Sequence, residues 1–282
     1  METYMNKYIL TDETKEVFGT KLYRIKAIKS FANIKKGDLG GFIEKKTNLN
    51  QEGNAWVYSN AQVHGNARVY DNALVYGNAW VCGNARVSGN ARVSDNAQVY
   101  GTARVCGTAR VCGNARVSGN ARVCGNARVY GDAQVSGNAQ VCDNARVFYN
   151  ALVYGNAWVC GNARVCDNAR VYDNAQVYDN AQVYGNAWVY GDAQVYGNAQ
   201  VYGDARVYGD TKIKLKHQLI NLINLQFNIT ITPQNIVIGC YLKTFNEWKK
   251  ITLKQALKLG LEKNQYKLLK TIIPLLYKEV CK

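Results

Sequence analysis

Nine cysteines and two histidines are the side chains with the greatest potential for chemistry in this chain of 282 residues. Thiols and imidazoles bind zinc when they recur at short, regular spacings, and Cys-x-x-Cys pairs carry out redox reactions. The chain has no Cys-x-x-Cys pair, and neither His64 nor His217 stands at zinc-ligand spacing from a cysteine. We therefore predict no metal site and no cofactor.

The compartment is inferred from the same thiols and from the start of the chain. The opening METYMNKYILTDETKEV has no basic segment followed by an apolar one, so we expect no secretory signal. Nine cysteines in such a chain favour a reducing compartment, and we expect a cytoplasmic protein. No run of 18 apolar residues occurs, so we also expect no membrane span.

A six-residue repeat carries most of these side chains. Valine recurs every six residues from Val57 to Val207, which gives 26 valines in register without insertion or deletion. The unit reads Val-x-(Gly or Asp)-(Asn, Asp or Thr)-Ala-x. In an extended chain Ala and Val point to one side and the residue between them to the other, while Gly, Asp and Asn favour bends. Each unit is therefore predicted to be a short strand and a corner of a closed coil, with Ala and Val inside.

Residues 57–213 resemble the hexapeptide repeat of left-handed β-helix proteins, which is best known among acyltransferases. The resemblance implies triangular coils of three hexapeptides, or 18 residues per turn. Residues 34–57, IKKGDLGGFIEKKTNLNQEGNAWV, are similar to the entry segment of uncharacterised bacterial and phage-borne hexapeptide arrays. Ile43 and Leu49 are already six residues apart, Thr47 takes the Ala position, and a two-residue slip precedes Val57.

The segments outside the repeat are expected to cap its open strand edges. We predict an N-terminal β cap and entry coil over residues 1–53, a β-helix over 54–213, and a Lys-rich α+β cap over 214–282. The fold class is thus an all-β solenoid: a left-handed triangular parallel β-helix with two caps.

Local signals predict the elements of both caps. The N-terminal cap should contain a strand from Leu22 to Ile28. In the C-terminal cap, residues 219–239 should form strands interrupted near Thr232 and Pro233. Two capping boxes predict one short helix before Lys250 and another ending near Gly260; they are Thr244 with Glu247, and Thr252 with Gln255.

The last segment of the chain reads as an amphipathic helix. Pro274 is expected to kink or restart this helix. Its lysines either form a solvated face or touch an acidic partner. Its apolar stripe consists of Leu268, Leu269, Ile272, Ile273, Leu276 and Val280.

The resemblance also implies an alternative function, acyl transfer from acetyl-CoA by a homotrimer, in which a histidine acts as the general base. His64 is the candidate for that role. It follows Val63, where Tyr, Cys or Ser usually stands, so it should face outward, and a drifted Tyr position explains it equally well. No loop leaves the repeat between Val57 and Val207 to form a pocket wall. We assign no catalytic residue and favour a non-catalytic protein.

With 18-residue coils, the cysteines at 106, 124, 142 and 160 would stack on one face, about 4.8 Å apart. Ser, Tyr, Phe and His occupy the same repeat position elsewhere. We therefore expect these thiols to be reduced, and to reflect drift after tandem duplication.

The same spacing places two rows of arginine on adjacent faces. The first row is Arg92, Arg110, Arg128, Arg146 and Arg164. The second row is Arg68, Arg86, Arg104 and Arg122. Stacked like charges repel, by about 1 kcal/mol for two unit charges at roughly 4 Å in water.

Two hypotheses account for the first row. Asp95, Asp132, Asp143 and Asp167 lie three or four residues from four of its rungs and would neutralise them locally. Otherwise the row binds a polyanion, with Tyr130 and Phe148 beside it as flat contact surfaces. We therefore predict a scaffold or binding solenoid for a polyanion or a protein partner. The sequence is also compatible with a homo-oligomer of this chain.

Overall fold

The computed structural model describes residues 6–222, 225 and 227–282. The first five residues, which begin the segment interpreted as lacking a secretory signal, lie outside this range, as do residues 223, 224 and 226 of the predicted strand region. Two compact units make up the chain, Met1–Asn156 and Ala157–Lys282. Each is described here by itself.

The repeats of the first unit form two-residue strands that consist of one outward residue and the following valine. Every Ala and Val of the pattern in this unit is fully buried, as the alternation of side chains in extended chain requires. These strands are Trp56–Val57, Gln62–Val63, Arg68–Val69, Leu74–Val75, Trp80–Val81, Arg86–Val87, Arg92–Val93, Gln98–Val99, Arg104–Val105, Arg110–Val111, Arg116–Val117, Arg122–Val123, Arg128–Val129, Gln134–Val135, Gln140–Val141, Arg146–Val147 and Leu152–Val153.

Parallel pairing joins each of these strands to the third strand along the chain. Arg92 pairs with Arg110 and Val93 with Val111, so neighbours in a sheet are 18 residues apart. Three parallel sheets result, because consecutive strands belong to different sheets. The amide of Arg92 donates to the carbonyl of Ala109 at 2.9 Å, and the same bond recurs from turn to turn. The expected turn of three repeats is therefore present.

The corners of the coil depend on a backbone conformation with positive φ. Gly113 has φ of 70° and Asp95 of 60°. A Cβ at Gly89 would lie 2.9 Å from the carbonyl oxygen of Gly107 on the next turn, so the stacked corners also leave little room. The corner residue is Ser59 or Tyr149 in two repeats, with φ of 50° and 56°. The sequence pattern of Gly or Asp omitted these two, and the coil nevertheless holds them in the strained region.

An antiparallel cap precedes the repeats. Its strands are Tyr8–Val17, Thr20–Ala27 and Leu39–Ile43, and a 3-10 helix spans Lys46–Asn48. The last strand joins the solenoid in parallel, with Ile43 paired with Val63, and Leu49 pairs with Val69. Both pairs are 20 residues apart, so the two-residue slip is confirmed.

One expectation about the entry coil is wrong. Thr47 was assigned to the inward Ala position but is exposed. Asn48 is buried instead, and its amide donates to the carbonyls of Gly65 and Ala67 at 3.1 and 2.9 Å. The tight 3-10 turn rotates the chain here, so the regular alternation of strand side chains does not apply.

The second unit contains the remaining repeats, whose Ala and Val residues are likewise buried. Val195 pairs with Ile213, and Thr211 is buried at the Ala position, so the register continues to Ile213 as expected. The strands are Trp158–Val159, Arg164–Val165, Arg170–Val171, Gln176–Val177, Gln182–Val183, Trp188–Val189, Gln194–Val195, Gln200–Val201, Arg206–Val207 and Lys212–Ile213.

A four-stranded antiparallel sheet and three helices follow, after a 3-10 helix at Lys216–Gln218. The turn between the second and third strands is closed by the Thr232 amide, which donates to the carbonyl of Asn235. Trp248, Leu269 and Ile273 are buried against the sheet. The strands are Ile220–Leu222, Ile229–Ile231, Ile236–Ile238 and Tyr241–Lys243, and the helices are α1 (Phe245–Lys250), α2 (Leu253–Lys258) and α3 (Lys263–Val280).

Both predicted capping boxes are formed, at Thr244 before α1 and at Thr252 before α2. Pro274 lies inside one helix, α3, which does not restart there. Leu268 is exposed, so the apolar stripe of α3 is narrower than expected. In the described part of the chain, no helix has the length and apolar character needed to cross a membrane.

Candidate functional site

The first arginine ladder, Arg92, Arg110, Arg128 and Arg146, stands in register on one sheet of the first unit. Arg92 pairs with Arg110, Arg110 with Arg128, and Arg128 with Arg146. The fifth predicted rung, Arg164, belongs to the second unit and is in register with Gln182. The outward side chains of this sheet lie at the strand spacing of about 4.8 Å.

The second arginine ladder, Arg68, Arg86, Arg104 and Arg122, occupies another sheet of the same unit. Consecutive members pair in parallel, and Gln140 follows Arg122. All four arginines are exposed, as are Arg92, Arg110 and Arg128 of the first ladder, whereas Arg146 is half-buried. The sequence thus placed both ladders of the first unit correctly.

Two of the aspartates expected to neutralise the first ladder have other partners. The Asp95 carboxylate accepts a hydrogen bond from the Gly113 amide at 3.0 Å. The Asp132 carboxylate accepts one from the Asn114 side chain at 2.9 Å. Both contacts join one turn to the next, and Asp167 makes the same contact with Gly185 in the second unit. Asp143 also occupies a corner, with φ of 57°.

Within residues 6–222, 225 and 227–282, the ion pairs are Arg24 with Glu13 and Lys282 with Glu279. No arginine of either ladder takes part in them. Stacked guanidinium groups without a carboxylate partner repel one another, so both ladders present an uncompensated positive charge to the solvent.

Aromatic side chains lie beside the end of the first ladder. The rings of Tyr130 and Phe148 stack with their centroids 5.0 Å apart and their planes at 3°. Tyr130 follows Val129 and Phe148 follows Val147, so both point outward on the same strands as Arg128 and Arg146. The Phe148 ring also meets Tyr149 at 5.0 Å. The two rings therefore stack on consecutive turns and directly follow the strands that carry Arg128 and Arg146.

The second unit has a different outer surface. From Tyr172 to Tyr208, the residue after every valine is tyrosine. The rings stack in columns: Tyr190 with Tyr208 at 4.7 Å and Tyr178 with Tyr196 at 5.1 Å. Sequence reasoning missed these columns, although the same 18-residue spacing would have shown them.

Two arginines of the second unit, Arg170 and Arg206, have an aromatic partner. The guanidinium groups of Arg170 and Arg206 lie 4.9 and 5.0 Å from the ring centroid of Trp188. Arg170, Trp188 and Arg206 are consecutive in one sheet, so the tryptophan is flanked on both sides. Cation–π attraction stabilises these positive charges, unlike those of the two ladders.

His64 does not lie in an open groove. Its ring meets Trp80 edge-on at 6.5 Å, and its Nε2 atom is buried without a hydrogen-bond partner among the described residues. Burial lowers the pKa of His64, against the opposite effect of Glu44. His64 follows Val63 on the outer side, as expected, but it is half-buried and not exposed, because Trp80 on the next turn and the strand Leu39–Ile43 crowd this corner. His217 is exposed in the 3-10 helix at Lys216–Gln218.

Four cysteines of the repeats have a raised pKa. A hydrogen bond with Cys142, followed by burial, raises the pKa of Cys124. Burial raises the pKa of Cys112 and Cys82, and that of Cys166 to about 11. No disulfide forms in the described part of the chain, which includes all nine cysteines. The reactive form of cysteine is the thiolate, so a raised pKa makes these four thiols poorly suited to nucleophilic chemistry.

Comparison with known families supports the repeat architecture. Several segments match the family model described as the YdcK beta solenoid repeat. Together they cover about two fifths of the chain. The matched segments are residues 67–83, 85–101, 109–123, 121–137, 163–179, 175–191, 181–197 and 199–211.

The chain is a β-solenoid repeat protein. The matches lie in both units, where the structure shows the parallel strands. No curated protein matches the chain. Its function is therefore inferred from its own surface.

Proposed function

We propose that the chain is a non-catalytic binding solenoid whose two arginine ladders hold a linear polyanion. One observation carries this proposal: seven exposed arginines of the first unit stand in register on two sheets and form no ion pair in the described part of the chain. Because stacked like charges destabilise a sheet, the ladders do not serve the fold. A chain of regularly spaced negative charges would relieve the repulsion along its length.

The geometry favours repetitive contacts over a single tight site. Rungs about 4.8 Å apart offer a guanidinium group at every turn, and guanidinium groups donate two parallel hydrogen bonds to phosphate, sulfate or carboxylate. The stacked Tyr130 and Phe148 add a flat apolar surface beside the first ladder. Binding of this kind depends on charge and releases counterions, so its affinity should fall steeply between about 50 and 200 mM salt.

The test uses the full chain and long-chain inorganic polyphosphate. Two triple variants remove the ladders separately: Arg86→Gln, Arg104→Gln, Arg122→Gln, and Arg110→Gln, Arg128→Gln, Arg146→Gln. The control Lys254→Gln, Lys258→Gln, Lys267→Gln removes three exposed charges from the C-terminal segment. We expect the ladder variants to bind more weakly with a shallower salt dependence, and the control to bind like the unmodified chain. Absence of binding at low salt, or loss only in the control, would overturn the proposal.

We further propose that the solenoid is of the left-handed hexapeptide type, similar to bacterial and phage-borne arrays. The support is its 18-residue turn of three repeats. A crystal structure that shows the opposite hand would exclude this assignment.

We place the protein in the cytoplasm because nine thiols, among them several with raised pKa, suit a reducing compartment. Thiol titration of freshly isolated protein should recover all nine. Stable disulfides would argue for an oxidising compartment. No specific observation favours the homotrimeric acyltransferase, since the Nε2 atom of His64 is buried.

A further inference from the structure

A groove opens in the first unit where the entry segment meets the second arginine ladder. The entry segment lines it with Lys46, Thr47 and residues 49–51, and the repeats line it with Arg68, Tyr70 and Arg86. The two segments are joined by the parallel bridge between Leu49 and Val69, both of which also line the groove. The groove is therefore fixed to the solenoid and begins where the ladder begins.

The lining of the groove is cationic. Lys46, Arg68 and Arg86 are exposed, and no carboxylate is among the described lining residues. Arg68 and Arg86 stand in register on neighbouring strands. Neither forms an ion pair within the part of the chain that the structure describes. Three converging cations select an anion of more than one charge, and two adjacent guanidinium groups suit the several oxygens of a phosphate.

One residue that lines the groove, Gln51, has a buried side-chain nitrogen without an acceptor among the described residues. The side-chain carbonyl of Gln51 accepts hydrogen bonds from the amides of Lys7 and Tyr8, at 2.9 and 3.4 Å. These two bonds orient the Gln51 side chain so that its Oε1 atom faces the N-terminal cap. The other end, Nε2, is buried and has no partner among the described residues. A buried N–H without an acceptor is unfavourable, so a bound phosphate would gain a donor if the Gln51 side chain turned its Nε2 atom toward the groove.

We infer that this groove binds a multiply charged phosphate group, either as a free small anion or as the end of the polyanion held by the ladder. The second case rests on the proposed function, whereas the first does not. Arg68 and Arg86 contact the phosphate, and Lys46 adds charge. Beyond Arg86 the ladder continues with Arg104 and Arg122, so a chain whose end lies in the groove extends along that sheet.

Titration calorimetry with inorganic pyrophosphate at low salt tests the inference on the full chain. The variant Arg68→Gln, Arg86→Gln should lose pyrophosphate affinity by about tenfold or more, equivalent to at least roughly 1.4 kcal/mol. The matched variant Arg104→Gln, Arg122→Gln removes the same charge from the same ladder outside the groove, and should bind pyrophosphate like the unmodified chain. Equal loss in both variants, or no pyrophosphate binding by the unmodified chain, would overturn the inference.

Long-chain polyphosphate separates this inference from the proposed function. The Arg104→Gln, Arg122→Gln variant should bind the polymer more weakly but keep its affinity for pyrophosphate. If pyrophosphate binds in the groove and the polymer binds no more tightly, the groove is a small-anion site and the polyanion proposal fails alone. If the polymer binds and pyrophosphate does not, the ladders bind the polymer without a phosphate site in the groove, and the inference fails alone.

Lys46→Gln distinguishes a defined phosphate site in the groove from non-specific attraction by the positive surface charge. Lys46 lies off the ladder, on the entry segment. We expect this variant to lower pyrophosphate affinity more than Lys45→Gln, in which the neighbouring lysine, outside the groove, loses its charge. An identical effect of the two substitutions would contradict a defined phosphate site.

Discussion

The two units have the same kind of interior and differ in the side chains that they expose. In both, Ala and Val of every repeat are buried. In the first unit, arginines face one another on two sheets. In the second, the corresponding positions hold Gln182 with Gln200 and Gln176 with Gln194, and tyrosine columns follow the valines.

This contrast separates what the fold needs from what it tolerates. Stacked tyrosines and an arginine against Trp188 stabilise the second unit, by about 0.5–1.5 kcal/mol for an aromatic pair beyond its burial. Stacked arginines have no such effect and oppose folding slightly. The outer side chains of the second unit therefore contribute to its stability. The arginine ladders of the first unit do not, which agrees with the proposed role in binding.

Substitutions of the buried valines should have the largest effect on the free energy of unfolding, and the effect should be the same in both units. Val111→Asp and Val189→Asp each place a charge without a partner among fully buried side chains. Both should lower the free energy of unfolding by more than about 3 kcal/mol. The surface control Arg110→Gln should stay within about 0.5 kcal/mol. Chemical denaturation measures all three, and a tolerant Val189→Asp would show that the two interiors are not equivalent.

The ends of the solenoid provide the second test, because they use opposite chemistry. In the first unit, the buried Lys7 ammonium donates to the carbonyls of Ala55 at 2.8 Å, Gly53 at 3.2 Å and Glu52 at 3.3 Å. In the second unit, the Thr230 hydroxyl accepts from the amide of Arg206 at 3.0 Å. Amides donate toward the following turn throughout, so carbonyls are left over in the first turn and amides in the last.

Lys7→Met should lower the free energy of unfolding by about 1–3 kcal/mol at pH 7, because buried carbonyls lose their donor. Lys45→Met is the control, since its ammonium donates to the exposed Asn66 side chain at 3.2 Å. Denaturation of both variants beside the unmodified chain measures the difference. An effect of Lys7→Met no larger than that of the control would mean that Lys7 does not cap the coil.

The pH dependence of Lys7 sharpens this test. Burial, with a smaller effect of Lys29, lowers the pKa of Lys7 from 10.5 to about 8. Between these values the unfolded chain holds the proton that the folded chain has released, so the contribution of Lys7 to stability rises with pH. The stability gap between the unmodified chain and Lys7→Met should therefore widen from pH 8 to pH 10.5. A constant gap would contradict the lowered pKa.

A transfer of the ladder tests the surface contrast directly. Gln182→Arg with Gln200→Arg would extend Arg164 into three stacked arginines in the second unit. We expect stronger polyphosphate binding with a steeper salt dependence, and a loss of unfolding free energy of about 1 kcal/mol or less. The matched pair Gln182→Glu with Gln200→Glu should weaken binding. No gain with arginine would show that register alone does not make a polyanion surface.

The smallest effect is expected at His64. His64→Ala removes a buried nitrogen without a partner and one edge contact with Trp80. The two effects oppose each other, so thermal unfolding should change by no more than about 1 kcal/mol. An assay of acetyl-CoA turnover completes the comparison. Turnover that disappears in this variant would restore the acyltransferase alternative.

The sequence by itself determined the repeating part of the molecule. A strict period places Ala and Val on one side of every strand, and the 18-residue turn then assigns each outer side chain to a sheet. Both arginine ladders of the first unit followed from this arithmetic, as did the capping boxes of α1 and α2, because all of them depend on local geometry.

Only the tertiary structure decided the places where the period ends or where different segments meet. Asn48 replaces Thr47 inside because a 3-10 turn interrupts the strand. His64 is half-buried because Trp80 and a cap strand crowd its corner. The groove near Arg68, and Lys7 below the first coil, join residues that are far apart in sequence. Period and propensity describe neighbours along the chain, whereas these contacts depend on how the cap packs against the coil.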